Sequence, residues 1–268
     1  MMPKIIHCAW FGKSRMPEDV QKCIASWHKY CPDYEIKLWN EDNYDVTKCK
    51  YMHDAYTHKK WSFVSDFFRL DIIYQYGGIY LDTDVELIRN LDNLLKLPLF
   101  MGLETIKKRH SVNVGLALGA QPNHPVVKAM RDDYYQMDFV LPNGQLNLTA
   151  CPDIQTELLL KYGVKRVNEK QEFKDFTVFP TEYFCPLNYD TGMLNITENT
   201  YSIHHYDAAW KSNVQKDIIT LRWELNKKYK SQLFIRVISV FIVYKRHYGI
   251  RAFIEIIKEI LSKLNLRR

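Results

Sequence analysis

Two carboxylates one residue apart, Asp82 and Asp84, close the apolar stretch GGIYLDTDVEL at residues 77–87. If that stretch is extended, side chains two apart point the same way. Like charges at ~6 Å then repel by about 3 kcal/mol at an effective dielectric near 20. A hard divalent cation such as Mn²⁺ or Mg²⁺ cancels that repulsion and leaves positions open for phosphate oxygens. The competing reading is a loop in which both carboxylates are solvated or cap backbone amides. Asp-x-Asp is common by chance, so its setting decides. Here it ends an apolar run, and ligands collect at the strand ends of α/β sheets.

A second constellation lies just upstream, in WSFVSDFFRLDIIYQY, Trp61 to Tyr76. Apolar groups wrap most of this expected helix, while Ser62, Asp66 and Arg69 fall at helical spacing on one narrow stripe. A charged pair on an apolar helix needs satisfaction, because a dry unpaired charge is costly. A ligand with several hydroxyls could meet it, and so could a buried ion pair locking helix to sheet. The third constellation is SIHHYDAAW, Ser202 to Trp210. On a strand His204 and His205 point to opposite faces, so only one can join Asp84 on a shared metal.

The elements that must position these groups are legible in outline. Lys4 to Trp10 predicts a short buried strand, Pro17 to Tyr30 a helix, and Glu35 to Trp39 a second strand, followed by the loop Asn40–Asn43. This βαβ opening predicts a parallel α/β sheet. A third strand at Ile79–Leu81 carries into the carboxylates. Further helices are expected at Asn90–Lys96, His124–Gln136 and Asp153–Tyr162, the last capped by Asp153, with strands near Leu99–Leu103 and Asn113–Leu118. From Gln215 onward the pattern is helical and rich in Lys and Arg. The expected division is a catalytic unit, 1–212, and a basic amphipathic helical tail, 213–268.

Composition narrows the class. An apolar content of 47% over 268 residues supplies a sizeable core. The net charge of +6 is mild, and no nucleic-acid motif accompanies it. The six cysteines form no CxxC pair, which argues against zinc and for a reducing, cytoplasmic home. The N-terminus lacks a secretory signal pattern. The apolar run from Phe234 is interrupted by Arg236 and is too short to span a bilayer. Residues 230–268 could lie on the inner face of a membrane by their apolar side, with Phe234, Val237, Phe241 and Ile242 inward, pack on the catalytic unit, or form a dimer.

Taken together, PKIIHCAWFG, YCPDYEIKLWNEDN, FVSDFFRLDIIYQYGGIYLDTDVEL and HHYDAAW closely resemble the DXD-containing glycosyltransferases of family 32, which are similar in their sugar-binding region to the glucosylating clostridial toxins. The resemblance is dense over 3–90 and returns near 201–210. It implies a GT-A fold, α/β and Rossmann-like, here with a C-terminal helical extension. It also implies a nucleotide-diphosphate-sugar donor, UDP-linked by family habit, a divalent metal, retention of anomeric configuration, and a glycan or lipid-linked glycan acceptor in surface polysaccharide synthesis. By this resemblance Trp10 stacks on the base and Asn40 lies near the nucleoside. Ser65, Asp66, Arg69 and Tyr80 hold the sugar and phosphates, Asp82 reaches the ribose and the metal, and Trp210 reaches the diphosphate. Asp84 and His205 are the expected direct ligands. The family often carries Ser where this chain has Ala209. No protein base is implied, and Asp153 stands only as an acceptor-side candidate. Two rival readings share the pattern. One is a haloacid-dehalogenase-type phosphatase with Asp82 as nucleophile and Asp84 as acid/base. The other is a non-catalytic nucleotide-sugar binder.

Overall fold

The βαβ opening folds as its sequence dictates. In the computed structural model, which describes residues 1–206, 212–252 and 254–256, the chain begins with β1 (Ile5–Ala9), α1 (Glu18–Tyr30), β2 (Glu35–Trp39), α2 (Lys50–Thr57), α3 (Trp61–Tyr76) and β3 (Gly78–Tyr80). β1 pairs in parallel with both β2 and β3. Acidic Glu18 and Asp19 sit in the first turn of α1, where the helix dipole favours them. Helix α2, which the sequence reading did not anticipate, turns Tyr51, Met52 and Ala55 inward against α3.

The glycine pair after α3 is a conformational requirement. Gly77 and Gly78 have φ of +65° and +93°, and a Cβ would meet the Ala120 carbonyl at 2.9 Å and the Ile5 carbonyl at 2.7 Å respectively. Only glycine lets the chain leave the helix and enter the sheet within one residue.

Beyond β3 come β4 (Val85–Leu87), β5 (Leu99–Ile106), β6 (Arg109–Ala120), α4 (Pro125–Asp133), α5 (Cys151–Leu160), β7 (Gln171–Glu172), β8 (Thr177–Phe179), α6 (Thr181–Phe184) and β9 (Ser202–His204). The seven-stranded sheet runs β2-β1-β3-β6-β5-β8-β7, and β4 and β9 make a separate two-stranded sheet. The expected parallel sheet holds for β2-β1-β3. β3 and β6, β6 and β5, and β7 and β8 are antiparallel, so the whole is mixed. The helix expected over 90–96 is only a 3₁₀ turn at Asp92–Leu94, because Asn90 turns its side-chain oxygen to the Asp92 N–H and closes the backbone locally. Helix α5 starts at Cys151 with Ala150 as its cap, so Asp153 lies in the first turn and does not cap it.

Two apolar clusters pack on the sheet. One gathers around Phe67, Phe68, Leu70 and Ile73 of α3 with Tyr51, Tyr134 and Phe139. The other holds Ile6, Cys8, Trp27, Ile79, Leu81 and Phe100. The compact α/β unit is Met1–Leu187 with Leu194–Tyr206, and the helical unit is Asp207–Arg268 with Asn188–Met193. Residues 207–211, next to the expected boundary near 212, lie outside the described residues, and six earlier residues join the helical unit. Their reason is Trp223, whose indole donates to the Tyr189 carbonyl at 2.8 Å and lies over Gly192. That unit contains α7 (Asn213–Asn226), with a Ser212–Gln215 capping box, and α8 (Gln232–Tyr248), joined through Ile218, Val243, Tyr244 and Ala252.

His7 ties β1 to the end of α3 and to β2. The Trp39 indole can only donate, so Nδ1 of His7 accepts it (3.1 Å) and Nε2 carries the proton toward the Gly77 carbonyl (3.0 Å). Burial holds this imidazole neutral, with its pKa down to about 4 from 6.5. The unfolded chain takes up that proton first, so the contribution is fully present above 6.5 and is lost as pH falls through about 4. Between pH 7 and 5 the loss is about 2 kcal/mol. His7→Gln should be less stable at pH 7 and should show a correspondingly smaller drop on acidification. Urea unfolding at both pH values measures it, and an unchanged drop contradicts the assignment.

Candidate active site

Asp82 and Asp84 occupy a turn between β3 and β4. The expectation of an extended strand end is corrected here, since Val85 N–H donates to the Asp82 carbonyl at 3.0 Å and the chain reverses at once into β4. The carboxylates still converge, because β4 pairs antiparallel with β9 and places Val85 opposite His204. His204 Nε2 lies 3.2 Å from Asp84 Oδ1. One donor atom each from Asp82, Asp84 and His204 falls within 4.8 Å of the others.

That register also corrects the choice of histidine. Strand alternation turns His204 inward, while His205 points the other way to Glu86 at 2.8 Å, with its side chain 43% exposed. His205 keeps a place near Asp84 only through its backbone, whose N–H donates to the Asp84 carbonyl at 3.0 Å.

Arg69 is the buried centre of the second constellation. It lies 3.3 Å from Asp66 and 3.2 Å from Asp82, so it joins α3 to the turn. Its Nε donates to the Ser65 carbonyl at 3.0 Å and Nη2 to the Ser65 hydroxyl at 2.9 Å. The guanidinium sits 5.0 Å from the centre of the Tyr80 ring, and the Tyr80 hydroxyl donates to Asp82 at 2.8 Å. Ser65, Asp66, Arg69, Tyr80 and Asp82 are therefore one connected network. It takes in Asp66 and Arg69 of the expected stripe, while Ser62 contributes its carbonyl, which accepts the Ser65 hydroxyl. The ion-pair lock and the ligand grip are compatible, since the lock aims Asp82.

The charges in this network are set by opposing effects. Burial pushes the Asp66 carboxyl up to about 6, against the pull of Arg69. Burial likewise raises Asp82, with Asp84 adding repulsion and Arg69 opposing it. Burial works against the Arg69 and His204 charges, yet neighbouring carboxylates hold both well above their ordinary values. For His204 the decisive partner is Asp84. Its Nε2 faces Asp84, and the Cys185 thiol lies beside the ring and adds to the same upward shift. A cluster of two carboxylates and an imidazole suits a borderline-hard divalent cation such as Mn²⁺.

Three residues of the support were missed in the sequence. The Asp82 N–H donates to the Gly115 carbonyl at 2.9 Å. Asn113 accepts from the Gly115 N–H at 2.8 Å and donates to the buried Glu104 at 2.9 Å. A register shift between Met101 and Gly102 of β5 makes room, with Leu118 and Asn113 facing consecutive residues. A Cβ on Gly115 would stand 2.1 Å from Asp82 Oδ2 and 2.7 Å from Arg69 Nη1. The glycine in NVG was the available signal, but nothing local says which side chain approaches it.

The other expected site residues divide. Trp10 and Asn40 immediately follow β1 and β2, and the Asp82 turn follows β3, so all three lie at the carboxyl edge of the parallel strands. Asn40 uses its side-chain oxygen to accept the Asp42 N–H at 2.9 Å, which builds its own loop. The Trp10 indole donates to the Ser14 carbonyl at 2.7 Å. Asp153 pairs with Arg109 at 3.0 Å and lines a cavity of about 270 Å³ with Met137, Ile154, Glu157 and Leu158. Trp210 lies outside the described residues.

Residues 17–100 match the family described as the glycosyltransferase sugar-binding region containing the DXD motif. An uncharacterised glycosyltransferase of Acanthamoeba polyphaga mimivirus is 24% identical over 226 residues, covering 80% of this chain and 86% of that protein. Inositol phosphoceramide mannosyltransferase 3 of Schizosaccharomyces pombe is 37% identical over 106 residues. That match covers 36% of this chain and only 28% of the yeast protein. Among solved structures, PaToxG Glycosyltransferase aligns with 60% of this chain and 70% of its own at 17% identity, with a TM-score of 0.47.

Gly115→Ala tests the support directly. Displacing Asp82 should weaken Mn²⁺ binding about 10- to 100-fold, the range for lost outer-shell support, and overpacking the buried contact should cost about 1–3 kcal/mol of stability without unfolding the chain. Titration calorimetry with Mn²⁺ checks it; wild-type affinity would mean that Gly115 does not govern Asp82.

Proposed function

We propose that this chain, which belongs to the glycosyltransferases carrying a DXD sugar-binding region, transfers a sugar from a nucleotide-diphosphate-sugar, with retention of configuration, to a glycan or lipid-linked glycan. The observation that carries the reading is the convergence of Asp82, Asp84 and His204 beside Arg69. A bound Mn²⁺ or Mg²⁺ would be held by these three residues and would stabilise the charge that develops on a departing diphosphate.

The chain's own groups divide the remaining work. Arg69 and the Tyr80 hydroxyl fix one Asp82 oxygen, so the carboxylate meets its ligand without reorganising. Asp66, ionised above about pH 6, offers an acceptor for sugar hydroxyls, and Arg69, itself anchored on Ser65, holds it in place beside the turn. Trp10 supplies an aromatic face for the base, and UDP is the proposed nucleotide. Asn40 shapes the loop at that edge. No side chain is assigned as base, and same-face attack with the departing phosphate taking the acceptor's proton is the proposed course. Asp153 and its cavity are the proposed acceptor side.

The phosphatase and the passive binder are less well supported, because the family match covers the Asp-x-Asp segment itself. A lipid-linked acceptor is favoured by the similarity to the yeast relative, an inositol phosphoceramide mannosyltransferase. Six free cysteines fit synthesis of surface polysaccharide on the cytoplasmic side.

The histidines separate this reading from its neighbours. His204→Ala and Asp84→Asn should each lower kcat for donor turnover by about a hundredfold or more, with the melting curve retained. His205→Ala should stay within about twofold, since its half-exposed side chain pairs with Glu86 and lies outside the Asp82–Asp84–His204 cluster. Turnover of UDP-sugars in Mn²⁺ measures all three, and the opposite order of the histidines would overturn the assignment.

A further inference from the structure

Helix α8 is apolar on two opposite faces. Ile235, Ser239 and Val243, at four-residue spacing, are buried within the helical unit. Leu233, Val237 and Phe241 repeat the same spacing on the other side and are 75%, 63% and 50% exposed, with Phe234 and Tyr248 extending the stripe. An amphipathic helix that had only to pack on its neighbour would carry polar groups there. The sequence reading turned Phe234, Val237, Phe241 and Ile242 toward a membrane surface; the first three are exposed and Ile242 is half-buried. Exposed apolar groups in such a row mark a surface that something covers.

The charges say what covers it. Residues 227–252 hold seven Lys and Arg and no Asp or Glu, and all seven cations are exposed. Arg236 and Lys245 border the apolar stripe. Over 227–268 eleven Lys and Arg stand against two Glu, a net +9, and because the whole chain is +6 the first 226 residues are net −3. The chain's net positive charge thus comes from its helical end. A second copy seated on the stripe would bring two such clusters together in like-charge repulsion. Nucleic acid would meet aliphatic and phenyl groups where it needs donors.

We infer that the exposed stripe of α8 docks on an anionic lipid surface, with Leu233, Phe234, Val237 and Phe241 in the headgroup–acyl boundary and the surrounding lysines and arginines against the headgroups. No described helix is long and apolar enough to cross a membrane, so the contact is peripheral. This inference stands on the helical unit alone and does not depend on the metal cluster.

Sedimentation of the full chain with vesicles tests it, using phosphatidylcholine alone and phosphatidylcholine mixed with phosphatidylglycerol. Binding to the mixed vesicles should be at least about tenfold stronger and should fall as salt rises. Val237→Asp with Phe241→Asp should abolish it, and Lys245→Glu with Arg246→Glu should weaken it about tenfold, while donor turnover in solution is retained. Equal pelleting of wild type and both variants would overturn the inference, as would no pelleting. So would a wild-type dimer that the aspartate pair converts to monomer, since the stripe would then be a self-association face.

Discussion

Everything at the candidate site hangs on the contact between Arg69 and Asp82. One guanidinium, buried on α3, stands between Asp66 and Asp82 at 3.3 and 3.2 Å. Remove it and two carboxylates are left in a poorly solvated place with Asp84 beside them, a cost of several kcal/mol. With it in place, the Asp82 carboxylate is held in one orientation, and the guanidinium opposes the effect of burial on its charge. The same contact ties a helix to a turn, so the positions of the sheet, α3 and β4 are all expressed in where one oxygen points.

The backbone is shaped to allow that contact. Gly77 and Gly78 release the chain from α3 straight into β3, and Gly115 leaves the space into which Asp82 and Arg69 fit. Glu104 and Asn113 then hold the Gly115 peptide, which receives the Asp82 N–H. A second layer of partners that orients a ligand in this way is the ordinary means by which proteins tune a metal cluster. On the far side of the turn, the pairing of β4 with β9 brings in a histidine from more than a hundred residues away.

Local pattern made much of this legible. The apolar helix with its Ser-Asp-Arg stripe and the strand before the carboxylates follow from composition, because their apolar residues are buried. The second strand at Glu35–Trp39 is only half-buried and was legible from its alternation. The choice between His204 and His205 was not legible, since it depends on the register of β9 against β4 and a shift of one residue exchanges them. The turn at 82–84 was misread as extended strand for a related reason, as a hydrogen bond back to Asp82 leaves no mark in composition. The Glu104–Asn113–Gly115 support depends on a bulge that only the paired strands reveal. The tail was recognised as helical and basic, but its outward apolar stripe required knowing which face α7 covers.

The central claim is that nucleotide and cation share one place, built by Asp82, Asp84 and His204. Calorimetric titration of UDP in Mn²⁺ and again in excess EDTA tests it most directly. The account predicts binding with Mn²⁺ and its loss, by at least about a hundredfold, when the metal is removed. UDP binding of equal strength in EDTA would contradict it, because the carboxylates would then serve no cation at the nucleotide.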